Sequence, residues 1–102
     1  MKALRESREA ADEIDHALAL SDVPAEFRAA IDDALALVAS GILTPPRIGR
    51  SRFREFVMNQ FPYSLILEEF PDRIRVVAFA HHSREPGYWR DKAELTHPMP
   101  GG

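Results

Sequence analysis

The sequence predicts an α+β domain in which two helices come first and a small sheet follows. Apolar residues recur at helical spacing up to Gly41 and at a spacing of two from about Ser51. Between the two regimes, the Gly41 to Gly49 connection holds Pro45 and Pro46, which forbid a continued helix. With 102 residues, 45% of them hydrophobic and 28% charged, the chain suits one domain over residues 1–92 with a flexible tail, 93–102, and excludes disorder or a coiled coil.

The first helix is expected over Arg8 to Leu20, with Ser7 as its cap. Ala10, Ala11, Ile14, Ala17 and Leu18 fall on one face, and Asp12, Glu13 and Asp15 turn outward. Before it, Lys2 to Glu6 is too short to assign from periodicity, and a small edge strand is one option there. The second helix takes Ser21 or Asp22 as its cap, Pro24 in its first turn and Gly41 just past its end, with Phe27, Ile31, Ala34, Leu35 and Val38 as its stripe. The short link between the helices makes an antiparallel hairpin the simplest arrangement, its apolar stripes turned toward a third element.

That third element is the sheet. Strands are expected over Ser51 to Met58, Tyr63 to Phe70 and Arg73 to His81, the last two joined by a Pro71-Asp72 turn. The third strand is apolar on both faces at its centre. Strict alternation sends Val76 and Ala78 one way and Val77 and Phe79 the other, so Val77 and Phe79 are left as an uncovered surface fit for docking.

Charge is divided unevenly. Residues 1–43 carry four Lys/Arg against nine Asp/Glu, and residues 44–92 carry nine against six. An anionic partner should therefore meet the second half. The absence of cysteine removes disulfides, thiolate metal sites and a thiol nucleophile, and a cytoplasmic location is the default. No apolar stretch approaches the roughly 20 residues that span a bilayer, and no signal pattern opens the chain, so no membrane association is expected.

Two segments carry chemistry. Arg47, Arg50, Arg52 and Arg54 put four guanidiniums into eight residues, the last three at strand parity, as a row of forked donors for phosphate or carboxylate. After the last strand, His81-His82-Ser83-Arg84-Glu85-Pro86-Gly87-Tyr88-Trp89-Arg90 gathers imidazole, guanidinium, phenol and indole groups. Metal-free cleavage of a phosphodiester needs a proton acceptor, a cation for the phosphorane and an acid for the leaving oxygen, and a histidine, Arg84 and Tyr88 are groups of those kinds. The competing structural reading packs Tyr88 and Trp89 over the end of the core and pairs Arg84 with Glu85 or a helix terminus. His81 and His82 point to opposite faces of a strand, so one at most serves any given site. Glu13-Ile14-Asp15-His16 has the Glu-x-x-His spacing of helix-bundle di-metal sites in a single copy, and reads as an outward acidic face. No metal site and no cofactor is expected.

The second half resembles the RelE/ParE superfamily of toxins from type II toxin-antitoxin modules. The resemblance rests on Phe61-Pro62-Tyr63 leading into a strand, Leu65-Ile66-Leu67, the Pro71-Asp72 turn, Ile74-Arg75-Val76-Val77-Ala78, and His82-x-Arg84-x-Pro86-x-Tyr88-Trp89, an ending common among ParE-like members. It covers about residues 7–92. It implies an N-terminal helical hairpin packed on one face of a small twisted antiparallel sheet, and an antitoxin partner that forms an oligomeric complex with the toxin and buries apolar and arginine-rich surface. Arg50, Arg52, Arg54, Arg73, Arg75, Val77, Phe79, His81, an exposed Trp89 and Arg90 are then the residues that meet antitoxin or target. The superfamily contains inhibitors of DNA gyrase and ribosome-dependent mRNA endonucleases. In the second case Arg84, Tyr88 and His82 would be catalytic, without a metal. A basic residue often found on the middle strand of that branch is replaced here by Ser64 and a later tyrosine by Leu67, which favours a non-enzymatic toxin that inhibits growth by binding its target and stabilises plasmids. A third expectation is an interaction module that has lost toxicity.

Overall fold

A computed structural model describes residues 2–91 and 93. In chain order the elements are β1 (Ala3–Glu6), α1 (Arg8–Leu20), α2 (Pro24–Ala39), β2 (Phe53–Val57), β3 (Tyr63–Glu69) and β4 (Arg73–His81). The sheet order is β1-β4-β3-β2. β2, β3 and β4 form an antiparallel meander, while β1 joins β4 in parallel, Ala3 opposite Arg73 and Glu6 opposite Val76. The sheet is therefore mixed rather than wholly antiparallel, because the segment before α1 does form a strand.

Local chemistry accounts for the element ends. The Ser7 hydroxyl accepts the Ala10 N–H at 3.0 Å, which caps α1 as its sequence implies. At α2 the cap differs from the expectation: Val23 occupies that position with no side-chain bond, and the Ser21 hydroxyl accepts the Val23 N–H instead. Pro24 opens the helix without loss, since its missing N–H would be unsatisfied there anyway. Gly41 follows the Ser40 cap at φ 81°, a left-handed conformation that ends the helix.

One departure from regularity decides which side chains meet which layer. Ile66 pairs with Ala78 but Leu67 pairs with Val76, so Val77 is an extra residue, a β-bulge. Alternation along β4 breaks there. Val76 and Phe79 face the helices, and Val77 and Ala78 face away. The expected split, with Val77 and Phe79 on one uncovered surface, is corrected accordingly. Phe79 lies in the main core with Ile14, Ile31, Leu65, Leu67 and Phe27, its ring stacked on Tyr63 at 4.6 Å.

The far face of the sheet is also covered. Trp89 and Ala93 lie over Phe53, Ile66, Val77 and Ala78, with Tyr88, Ala80 and Ile48 at the margin. Trp89 meets the Phe53 ring edge-on at 4.7 Å and is only 6% exposed. The exposed Trp89 of the sequence reading is thus a buried one, and the far face has its partner within the chain. Apart from Ala93, the expected tail lies outside the described residues.

Candidate functional site

The arginine row does not survive folding. β2 begins at Phe53, so Arg52 stands before the strand and turns to the far face, where its Nε bonds to the Glu68 carboxylate. Glu68 is fully buried, and Arg75 reaches its other oxygen at 3.5 Å. Arg54 stays on the helix side, donating to Glu69 at 3.0 Å and to the Pro45 carbonyl at 2.7 Å. Arg73 bonds to Asp72 at 3.2 Å and lies 4.2 Å over the Phe70 ring. Arg50 is exposed in the turn that precedes β2. Glu68 and Glu69, adjacent on β3, divide these cations between the two faces of the sheet, so the row becomes two ion-paired clusters.

The His81 to Arg90 segment does assemble. The Arg84 guanidinium lies over the Tyr88 ring at 3.9 Å, and the Arg90 guanidinium lies 5.0 Å from Trp89 and 5.9 Å from Phe53. Among the described residues neither pairs with a carboxylate, so the expected Arg84–Glu85 pair is absent. Both are held by aromatic faces, which hold a cation without neutralising it. Gly87 makes the turn between Arg84 and Tyr88 at φ 78°.

The histidines separate as strand geometry demands. His81 sits edge-on to Tyr63 at 4.9 Å, and its Nδ1 meets the Ser83 hydroxyl at 2.7 Å. His82 Nε2 meets the Ser64 hydroxyl at 3.1 Å on the far face. Ser64 is buried and occupied by that bond. Val77 and Phe79, taken from the sequence as docking residues, are 5% and 2% exposed and contribute to the two cores instead.

Sequence reasoning missed Glu13. Far from being an idle member of an outward acidic face, its carboxylate accepts the Phe79 N–H at 3.0 Å with one oxygen and the Tyr88 hydroxyl with the other. The reason lies in the length of β1, which pairs with β4 only as far as Val76. Beyond that point β4 has an open edge, and Glu13 supplies the acceptor that a longer strand would have supplied. Burial, and the Glu13 carboxylate that the hydroxyl faces, push the Tyr88 phenol well above its ordinary value, against the opposing pull of Arg84.

Three hollows converge on this clasp. One of about 370 Å³ runs along Ser7, Glu9 and Asp12 toward Trp89, one of about 450 Å³ lies by His16, Leu20, Tyr63 and His81, and one of about 630 Å³ lies on the far face by Ser64, Ile66 and His82. Arg84 and Tyr88 line all three. A charged network at the opposite end of the sheet, Lys2–Glu69–Arg54, borders a separate cavity of about 360 Å³.

A mixed α+β domain with two helices and this four-stranded sheet has a ParE-like fold. Specifically, a solved chain of the chromosomal ParDE TA system from P. aeruginosa superposes with a TM-score of 0.56 at 18% identity, over 79% of this chain and 96% of that one. No family model and no curated protein sequence matches the chain. No helix among the described residues is long and apolar enough to cross a membrane.

Proposed function

We propose that this chain is the toxin of a type II toxin-antitoxin module, held inactive in a complex with its cognate antitoxin and acting in the cytoplasm by binding a large target such as DNA gyrase, not by cutting RNA. On this reading α1 and α2 form the antiparallel hairpin and the sheet carries the twist of ParE-like toxins. The partner surface centres on Arg84, Arg90 and the exposed Arg50, with His81 and His82 beside them. Arg52, Arg54, Arg73 and Arg75 take part as ion-paired groups at its border.

One observation carries the choice against a nuclease. The arginines on or beside the neighbouring strands that could stand in for the missing cation of the middle strand, Arg52, Arg54, Arg73 and Arg75, are each engaged by a carboxylate, Glu68, Glu69 or Asp72. The phenol reinforces the point. An acid for the leaving oxygen works best with a pKa near the operating pH, whereas Tyr88 is shifted the other way and already donates its proton to Glu13.

The deciding experiment induces the protein alone in growing bacteria, records growth, and maps the 5′ ends of a translated message. Growth arrest without new ends inside codons, relieved by co-expressed antitoxin, is the expected result. New ends that vanish in Arg84→Ala would instead identify a ribonuclease, and unaffected growth would identify a non-toxic interaction module.

A further inference from the structure

We propose that Glu13 is the positioning residue of this surface: by clasping Tyr88 against the open edge of β4 it holds Arg84, stacked on the Tyr88 ring, as the cation offered to an anionic group of a partner. The inference rests on the reading of Arg84 as a partner-binding residue, and extends the site to α1, whose acidic residues looked unrelated to it.

The geometry gives Glu13 two bonds at once. A carboxylate has two acceptor oxygens, and here one is spent on a backbone N–H of the sheet and the other on the Tyr88 hydroxyl. Tyr88 is thereby referred to the rigid frame of β4 rather than to the exposed loop that carries it. Arg84 lies 3.9 Å over that ring, bonds through its backbone N–H to the His81 carbonyl at 2.9 Å, and has no carboxylate partner among the described residues. Elsewhere on the sheet the pattern differs: Arg52 and Arg75 share Glu68, Arg54 contacts Glu69 and Arg73 contacts Asp72, so each is fixed by direct contact with a carboxylate. Glu13 fixes Arg84 at one remove, through an aromatic ring, and leaves the guanidinium edge free to donate. The convergence of three hollows on Arg84 and Tyr88 places that edge where a partner group can arrive from α1, from the end of the sheet or from the far face. The matching chemistry on the partner is a carboxylate or phosphate, the oxyanions a guanidinium fork recognises.

The test compares Glu13→Ala, Glu13→Gln and Tyr88→Phe, alone and Glu13→Ala combined with Tyr88→Phe, each checked for folding by far-ultraviolet circular dichroism. The first readout is the NMR shift of the Arg84 side chain, displaced in the wild type by the Tyr88 ring current. It is expected to relax toward the free-arginine position in Glu13→Ala and in Tyr88→Phe, which keeps the ring but loses the clasp, with no further change in the double variant. Glu13→Gln, with one acceptor oxygen in place of two, falls between. The second readout is alkaline titration of the Tyr88 phenol, obtained by subtracting the Tyr88→Phe curve; Glu13→Ala is expected to bring it down toward the ordinary tyrosine range, which loss of a merely structural acid elsewhere on α1 would not do. The third is growth arrest, where Glu13→Ala is expected to need on the order of tenfold more protein for the same effect, the value of one well-placed charge-assisted bond. An Arg84 shift unchanged in both single variants overturns the proposal. A relaxed shift with undiminished arrest overturns it as well. If the wild type does not arrest growth, the proposed function fails while the first two readouts still decide whether Glu13 positions Arg84.

Discussion

Replacing Trp89 by alanine separates a residue that belongs to a core from one that waits on the surface for a partner. The indole closes the far face of the sheet over Phe53, Ile66, Val77 and Ala78, and is 6% exposed. Truncating a buried aromatic of this kind costs about 3–5 kcal/mol, including about 0.5–1.5 kcal/mol for the edge-on pair with Phe53. Against a total stability of about 5–15 kcal/mol for a domain of this size, that is a large fraction. At roughly 4–8 °C per kcal/mol the melting temperature should fall by about 12 °C or more. The assay is urea and thermal unfolding followed by far-ultraviolet circular dichroism, with Leu20→Ala, at a site 70% exposed, as a reference expected to stay within about 0.5 kcal/mol. A loss below about 1 kcal/mol for Trp89→Ala would refute the placement of the 88–93 segment on the sheet and restore Trp89 as a docking residue.

Two further outcomes follow from the same structure. Lys2, by its hydrogen bond to the Glu69 carboxyl, and then Arg54 hold that carboxyl below its ordinary value of 4.5. Its contribution to stability is therefore present above the unfolded value and lost as pH falls through the lowered folded one. Because both Lys2 and Glu69 are about a third exposed, Lys2→Ala should lower stability at neutral pH by well under about 1 kcal/mol and flatten the acid limb by the same amount, leaving stability below the folded value unchanged. Gly41→Ala should cost about 1–2 kcal/mol in chemical denaturation, since a Cβ at φ 81° meets nothing within 4 Å and the penalty is purely conformational.

The elements were legible because their signals are local. A serine before Arg8, proline at the start of α2, glycine after its end and Pro71-Asp72 between β3 and β4 each act within a few residues, and α1 and β4 fall on their expected bounds. What pattern could not carry was phase and pairing. The bulge at Val77 leaves no mark in a run of Val, Val, Ala and Phe, all of which suit either face, so strict alternation put Phe79 on the wrong side. The division of Arg52 from Arg54 depends on where β2 begins, a boundary of one or two residues that periodicity does not resolve. Glu13 was hidden for a different reason: its partners are 66 and 75 positions away, and an acidic residue beside an apolar stripe is the ordinary composition of any surface helix. The one available hint was the Ser7 cap, which turns the chain into α1 and leaves the edge of β4 beyond Val76 without a strand. The aromatic and basic ending around Arg84, Tyr88 and Trp89 was recognised, and of its two readings Trp89 follows the one that packs it over the core rather than the one that leaves it exposed for a partner.

The parallel pairing of β1 with β4 also orders events in time. Residues 3–6 are made first and have no partner until residues 73–76 exist, and Glu13 has nothing to clasp until Tyr88 has been added. The β2–β3–β4 meander draws on nearer neighbours and can organise earlier, while β1 and α1, which pack on β4, close the longest loops at the end of folding. During synthesis on a ribosome, then, a nascent chain can hold a partial sheet while its Arg84 surface is still unbuilt.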